Sequence, residues 1–136
     1  MKILVTGGTG TVGSQVVREL LTRGAQVQVL TRDPAKAGKL PAGVTAVTGD
    51  LSKVETVKRV FKGLDGVFLV NTVSPTEVYE GLLSACALRE EKVKRVVYLS
   101  VHQADGAPWL PHFGGKIGVE HAVLKAPSPG TVLRPN

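Results

Sequence analysis

The stretch Val5-Thr6-Gly7-Gly8-Thr9-Gly10-Thr11-Val12-Gly13 decides the fold. Before it lies Lys2–Thr6, short and rich in apolar β-branched residues, as a buried strand is. After it, Thr11–Thr22 repeats Val12, Val16, Val17, Leu20 and Leu21 at the spacing of one helical face. A glycine-rich segment alone says little; between a first strand and an amphipathic helix it specifies a phosphate-binding turn. Gly7 permits the tight turn, Gly10 lets the backbone approach a pyrophosphate, and Gly13 lets helix and strand pack closely. The helix N-terminus adds unpaired N–H groups and a partial positive charge. Gly7, Thr9, Gly10, Thr11, Val12 and Gly13 are therefore the expected contacts to a dinucleotide. No Gly-Lys-Ser/Thr ending follows, which argues against an ATP-hydrolysing phosphate loop.

Outward from this turn, strands and helices alternate. Gly24 stands where a helix C-cap is expected, and Gln26–Thr31 is a second strand. Asp33-Pro34 breaks the pattern, and Val44–Thr48 is a third strand. Ser52 with Glu55 has the spacing of a capping box, followed by Val54, Val57 and Phe61 at helical spacing. Gly66–Asn71 reads as a fourth strand, Pro75–Glu91 as a helix and Val96–Val101 as a fifth strand. Phe113–Lys125 reads as a helix weakened by Gly114, Gly115 and Gly118, and Thr131–Leu133 as a sixth strand between Pro129 and Pro135. Such alternation specifies an α/β, doubly wound parallel sheet with order 3-2-1-4-5-6, because parallel strands need long right-handed crossovers. No repeat or linker divides residues 1–136, so they are expected to form one domain.

Composition narrows the function classes. Hydrophobic residues make up 43% and charged residues 21%, which fits a folded domain rather than disordered chain. No apolar run approaches the roughly 20 residues of a membrane-spanning helix, so no membrane partner is expected. The net charge of +6 is spread through helices and turns, and three Phe, two Tyr and one Trp offer little stacking surface. A nucleic-acid partner is therefore not expected. The single Cys86 cannot form an intrachain disulfide, which suits a cytoplasmic location, and its neighbours Leu82, Leu83 and Leu88 suggest a small core residue.

The second strand ends Leu30-Thr31-Arg32-Asp33. An acidic residue there commonly accepts a ribose hydroxyl of NAD, whereas an arginine accommodates the 2′-phosphate of NADP. Arg32 comes first and offers a forked cation, so NADP is favoured, with NAD the alternative if Asp33 reaches the ribose and Arg32 lies in solvent. Asp33 has a competing role as a turn cap. Asp50, in Gly49-Asp50-Leu51, has an adenine amino group or a turn as its two readings, with Leu51 against the ring. Asn71, ending the fourth strand, completes the expected cofactor contacts.

These motifs, together with Tyr98-Leu99-Ser100 and the closing Leu133-Arg134-Pro135-Asn136, resemble the NmrA-like group of atypical short-chain dehydrogenases across the whole chain. The resemblance implies a dinucleotide-binding sheet with Arg32 at the 2′-phosphate. It also implies either an NADPH-dependent reductase of quinone- or carbonyl-type substrates or a non-catalytic redox-sensing regulator acting through a protein partner. Most short-chain dehydrogenases carry Tyr-x-x-x-Lys; here the matching stretch is His112-Phe113-Gly114-Gly115-Lys116. Lys116 is the implied holder of the nicotinamide ribose, and His112 stands in the slot of the proton-donating tyrosine. Ser100 occupies a position that is substrate-facing in many relatives, or is a satisfied strand-end serine. The resemblance further implies a smaller substrate-binding lobe beyond Arg-Pro-Asn, which residues 1–136 do not include. With the sixth strand at a sheet edge, the chain is expected to form a homodimer.

Overall fold

A computed structural model describes residues 1–126 and 130–136. Its strands are β1 (Lys2–Thr6), β2 (Gln26–Thr31), β3 (Val44–Thr48), β4 (Gly66–Leu69), β5 (Arg95–Leu99) and β6 (Gly130–Leu133). They form one parallel sheet of order β3-β2-β1-β4-β5-β6, the expected order. Helices α1 (Thr11–Thr22), α2 (Pro34–Ala37), α3 (Val54–Val60), α4 (Glu77–Glu90) and α5 (Pro111–Leu124) fill the crossovers, with a 3-10 turn at Ala104–Gly106.

Because side chains alternate along a strand, β1 feeds two cores. Leu4 points into the larger one, where Val57 and Phe61 from the α3 segment, Leu88 of α4 and Val119 and Val123 of α5 meet. Ile3 and Val5 point into the other, with Val17 of α1, Val27, Val29 and Phe68. Right-handed crossovers dictate this division: the chain moves one way along the sheet through α1 and back the other way through α3, α4 and α5. On the α1 side, cover is thin beyond β4, where Val97 and Leu99 are half-buried and Leu133 is exposed.

Several expectations need correction. The capping box at Ser52 does not form: the Ser52 N–H goes to the Asp50 carboxylate at 2.8 Å, so the helix starts at Val54 behind an uncapped Lys53. Val54 is exposed, and Val60 joins Val57 and Phe61 in the core instead. Val12, expected on the buried face of α1, is exposed because the first helical turn rises past the ends of the strands. β4 stops at Leu69, two residues short of Asn71.

Cys86 is exposed rather than buried. Its helix explains this. The buried face of α4 carries Glu77, Glu80, Gly81, Ser84, Ala85 and Leu88, a stripe at helical spacing that is small and acidic. Tyr79, Leu82 and Cys86 lie on the outward face. The glycines of α5 are the second surprise, since the helix runs from Pro111 through all three. A Cβ on Gly115 would lie 2.4 Å from Val78 Cγ2, one on Gly114 2.3 Å from the Pro108 carbonyl oxygen, and one on Gly81 2.5 Å from Val119 Cγ2. Close packing of α4 on α5 therefore requires Gly81 and Gly115, and close approach of α5 to the Pro108 carbonyl requires Gly114, residues that each weaken a helix in isolation. Pro129, expected to flank the sixth strand, lies outside the described residues.

Candidate functional site

The glycine turn adopts the geometry its residues suggest. Gly7 has φ of +62°, a conformation that costs glycine nothing. The Gly10 N–H bonds the Gly7 carbonyl at 2.9 Å, closing the turn, and Gly10 begins α1 with no side-chain cap and no acidic residue in the first turn. The leading N–H groups of α1 thus meet no side chain that competes with an anion. Gly13 is obligatory for another reason: a Cβ there would fall 2.1 Å from the Gly7 carbonyl oxygen. Thr6 fastens the turn to the sheet, its hydroxyl donating to the Val70 carbonyl at 2.8 Å and accepting from the Val70 N–H at 2.7 Å.

Beside the turn opens a cleft of about 290 Å³ at the C-terminal edge of the strands. Gly7 and Thr9 line one side, Arg32 and Lys36 another, and Leu51 and Thr72 close it. Asp33 Oδ1 accepts from the Ala35 N–H at 2.9 Å and caps α2, with Pro34 in the first turn. Arg32 is exposed, and among the described residues it makes no ion pair. Asp50 is half-buried, and the N–H and hydroxyl of Ser52 hold its carboxyl below the usual range, with the charges of Arg32 and Lys53 adding to the effect. Asn71 is buried between the cleft-lining Val70 and Thr72, and among the described residues neither atom of its amide has a hydrogen-bond partner. A buried amide without partners is costly in a folded protein, and a polar group brought into the cleft beside it is one way to relieve that cost.

His112 and Lys116 sit on the first turns of α5 and are not among the residues that line the cleft. Both meet a residue that sequence reasoning missed. Glu77, at the start of α4, receives His112 Nδ1 at 2.8 Å on one carboxylate oxygen and Lys116 Nζ at 2.8 Å on the other. Lys116 and Glu77 are each 5% exposed, and the ammonium also lies 5.2 Å from the centre of the Tyr98 ring. Burial, with the charges of Glu77 and Glu120 adding, pushes the Tyr98 phenol far above its usual range and keeps its proton in place.

A second cluster ties α5 to β6. Arg134 grips Glu120 with Nε at 3.0 Å and Nη2 at 2.6 Å, and also pairs with Asp105. Ser100 donates its hydroxyl to Glu120. Burial opposes charge on Glu120, but the bonds from Arg134 and Ser100 outweigh it and hold the carboxyl below the usual range. Ser100 is therefore a satisfied strand-end serine here. The only signal for Glu77 and Glu120 in the sequence was their place on helix faces that turned out to point inward.

The NmrA-like family matches residues 1–135. The chain belongs to the NmrA-like family. Among its relatives, a photosystem II assembly factor, Ycf39, of Trieres chinensis is 34% identical over 98% of this chain and 45% of its own length. An NAD(P)H azoreductase of Xenophilus azovorans is 41% identical over 70% of this chain and 34% of its own. Among solved structures, triphenylmethane reductase of Citrobacter sp., complexed with NADP(H), superposes with a TM-score of 0.86 at 25% identity, over 97% of this chain and 48% of that one. An NADPH-dependent quinone oxidoreductase of Escherichia coli, complexed with NADPH, gives 0.84 at 26% identity, over the same shares. The chain thus spans less than half the length of each. No helix among the described residues is long and apolar enough to cross a membrane.

Proposed function

We propose that this NmrA-like chain binds NADPH at the glycine turn and belongs to a reductase of quinone- or carbonyl-type substrates. The observation that carries the reading is the cleft, with Gly7 and Thr9 and the cation of Arg32 in its lining, Arg32 unpaired among the described residues, while Asp33 is occupied in capping α2. That division of labour favours a 2′-phosphate over a bare ribose hydroxyl. The residues fit the cofactor: Gly10, Thr11, Val12 and Gly13 present the helix N-terminus to the pyrophosphate, and the partnerless Asn71 amide offers donor and acceptor inside the edge. Leu51 and Asp50 border the adenine end, Asp50 with one oxygen already committed to Ser52. NADP(H)-bound relatives of the same fold support the assignment.

Reduced nicotinamide supplies a hydride when bound; the chain's residues supply position and a proton. Lys116 orients the ribose and His112 donates to the substrate oxygen. The chain is further proposed to act as a homodimer in the cytoplasm.

A second reading, a dinucleotide-binding protein acting through a protein partner, draws support from the assembly-factor relative and from His112 standing where a tyrosine is usual. NADPH oxidation by the purified protein with a panel of quinones separates the two. Turnover above the protein-free rate supports the reductase; tight NADPH binding without turnover of any acceptor supports the binding protein.

A further inference from the structure

The buried carboxylate of Glu77 has no place in either reading, yet among the described residues it alone connects His112 and Lys116. It is 5% exposed, its two oxygens serve different partners, and both partners lie on α5 while Glu77 lies on α4. Three features indicate that this contact is built rather than incidental. Gly115, between the two α5 residues, is where a Cβ would collide with Val78, so it lets the first turns of α5 lie against Glu77-Val78, while Gly114 beside it lets α5 lie against the Pro108 carbonyl. Glu77 occupies the first turn of α4, where the helix dipole favours a negative charge. His112 keeps 29% of its side chain exposed while Glu77 and Lys116 are covered, so its outward edge meets solvent.

We propose that Glu77 is a positioning residue that sets the tautomer and orientation of His112. A carboxylate paired with Lys116 offers only acceptors, so the Nδ1 atom 2.8 Å from Oε2 must carry a hydrogen. In the neutral ring Nε2 is then the bare nitrogen, and it is the atom that takes up and gives out a proton. The Phe113 ring stands nearly perpendicular to the imidazole, with ring centres 5.5 Å apart, and steadies it. The Lys116 contact is close but poorly aligned for a hydrogen bond, which makes the histidine bond the directional one of the pair.

For the destination of the proton, this proposal rests on the reductase reading. There, hydride adds to the substrate carbon, the carbonyl π pair moves to oxygen, and that oxygen takes the proton from Nε2 of the doubly protonated ring. His112 is left neutral, still donating Nδ1–H to Glu77, and regains its proton from solvent.

The test begins with the protein alone. Long-range ¹⁵N–¹H correlation of the imidazole, recorded at a pH above the ordinary histidine range, reads which nitrogen holds the hydrogen. The expected result is Nδ1–H with a bare Nε2 in the wild type, and a return toward Nε2–H, the form free histidine prefers, in Glu77→Ala. A wild-type ring already in the Nε2–H form overturns the proposal, and so does a tautomer unchanged by Glu77→Ala. Should that variant not fold, the wild-type spectrum decides by itself.

Kinetics adds a second arm. His112→Phe is expected to lower kcat for quinone reduction on the order of a hundredfold, Glu77→Ala about as much, and the double variant no further. Fully additive losses contradict action through His112, while any effect passed through Lys116 appears as weaker NADPH binding. If no acceptor is turned over, the reductase reading fails, and the imidazole spectrum still supports or overturns the role of Glu77.

Discussion

Single glycines separate folding from binding in this chain. Gly13 and Gly10 belong to one motif, but their surroundings differ. A Cβ on Gly13 meets backbone at 2.1 Å, whereas one on Gly10 meets only the Gly7 carbonyl oxygen, at 3.3 Å. Backbone cannot step aside as a flexible side chain can, so Gly13→Ala is expected to cost about 3 kcal/mol or more, seen as a lower midpoint in urea. Gly10→Val is expected to leave the fold intact by circular dichroism and to abolish NADPH binding, because its branches fill the space the pyrophosphate needs. An unfolded Gly10→Val, or one that still binds NADPH, would refute the assignment of the turn. This part of the site was legible because glycine between strand and helix has few other uses. Arg32 was legible too, as a cation at the end of the second strand. That Asp33 caps α2 is visible only in the fold.

At the level of elements, the clamp between α5 and β6 carries a pH signature. Arg134 and Ser100 lower the Glu120 carboxyl, and Arg134 lowers Asp105 as well. Groups whose folded-state pKa is depressed stabilise the fold fully above the unfolded value, near 4.3 for Glu and 3.9 for Asp. That contribution disappears as pH falls through the lower folded values. Arg134→Ala is therefore expected to lower the melting temperature at neutral pH and to differ less and less from wild type as pH drops below the ordinary carboxylate range. A deficit that persists undiminished in acid would mean that Arg134 acts through packing alone.

Tyr98 offers a companion test. Its buried hydroxyl has no partner among the described residues, so Tyr98→Phe is expected to change stability by less than about 1 kcal/mol, on the favourable side, since no hydrogen bond is broken. β1 could be read from the sequence because it is a short apolar run rich in β-branched residues, and α1 because one helical period governs most of it. α4 and α5 could not be read as fully. The inward face of α4 holds two glutamates and a serine, and α5 spends glycine on close approach, so hydrophobic period and helix propensity both misdirect. Glu77 and His112 are 35 residues apart, and only the packed helices join them.

The whole molecule presents one sheet whose two faces are unequally covered. α3, α4 and α5 shield one face, while on the other Val97 and Leu99 are only half-buried at the border of the smaller core, Leu133 is exposed, and β6 is an edge strand among the described residues. Open edges and apolar faces favour association. The 136-residue polypeptide is expected to sediment as a two-fold dimer at micromolar concentration, and Leu133→Lys to shift it toward monomer. A wild-type species near the 14.3 kDa chain mass would refute this. The central claim concerns the cleft, and its most direct test is titration of the protein with NADPH and with NADH at one ionic strength. Charge-assisted bonds from Arg32 to a 2′-phosphate contribute roughly 1.5–3 kcal/mol each, so NADPH should bind at least about tenfold tighter, and Arg32→Ala should erase most of that margin while leaving NADH affinity nearly unchanged. Equal affinities for the two dinucleotides in the wild type, or no affinity for either, would contradict the account.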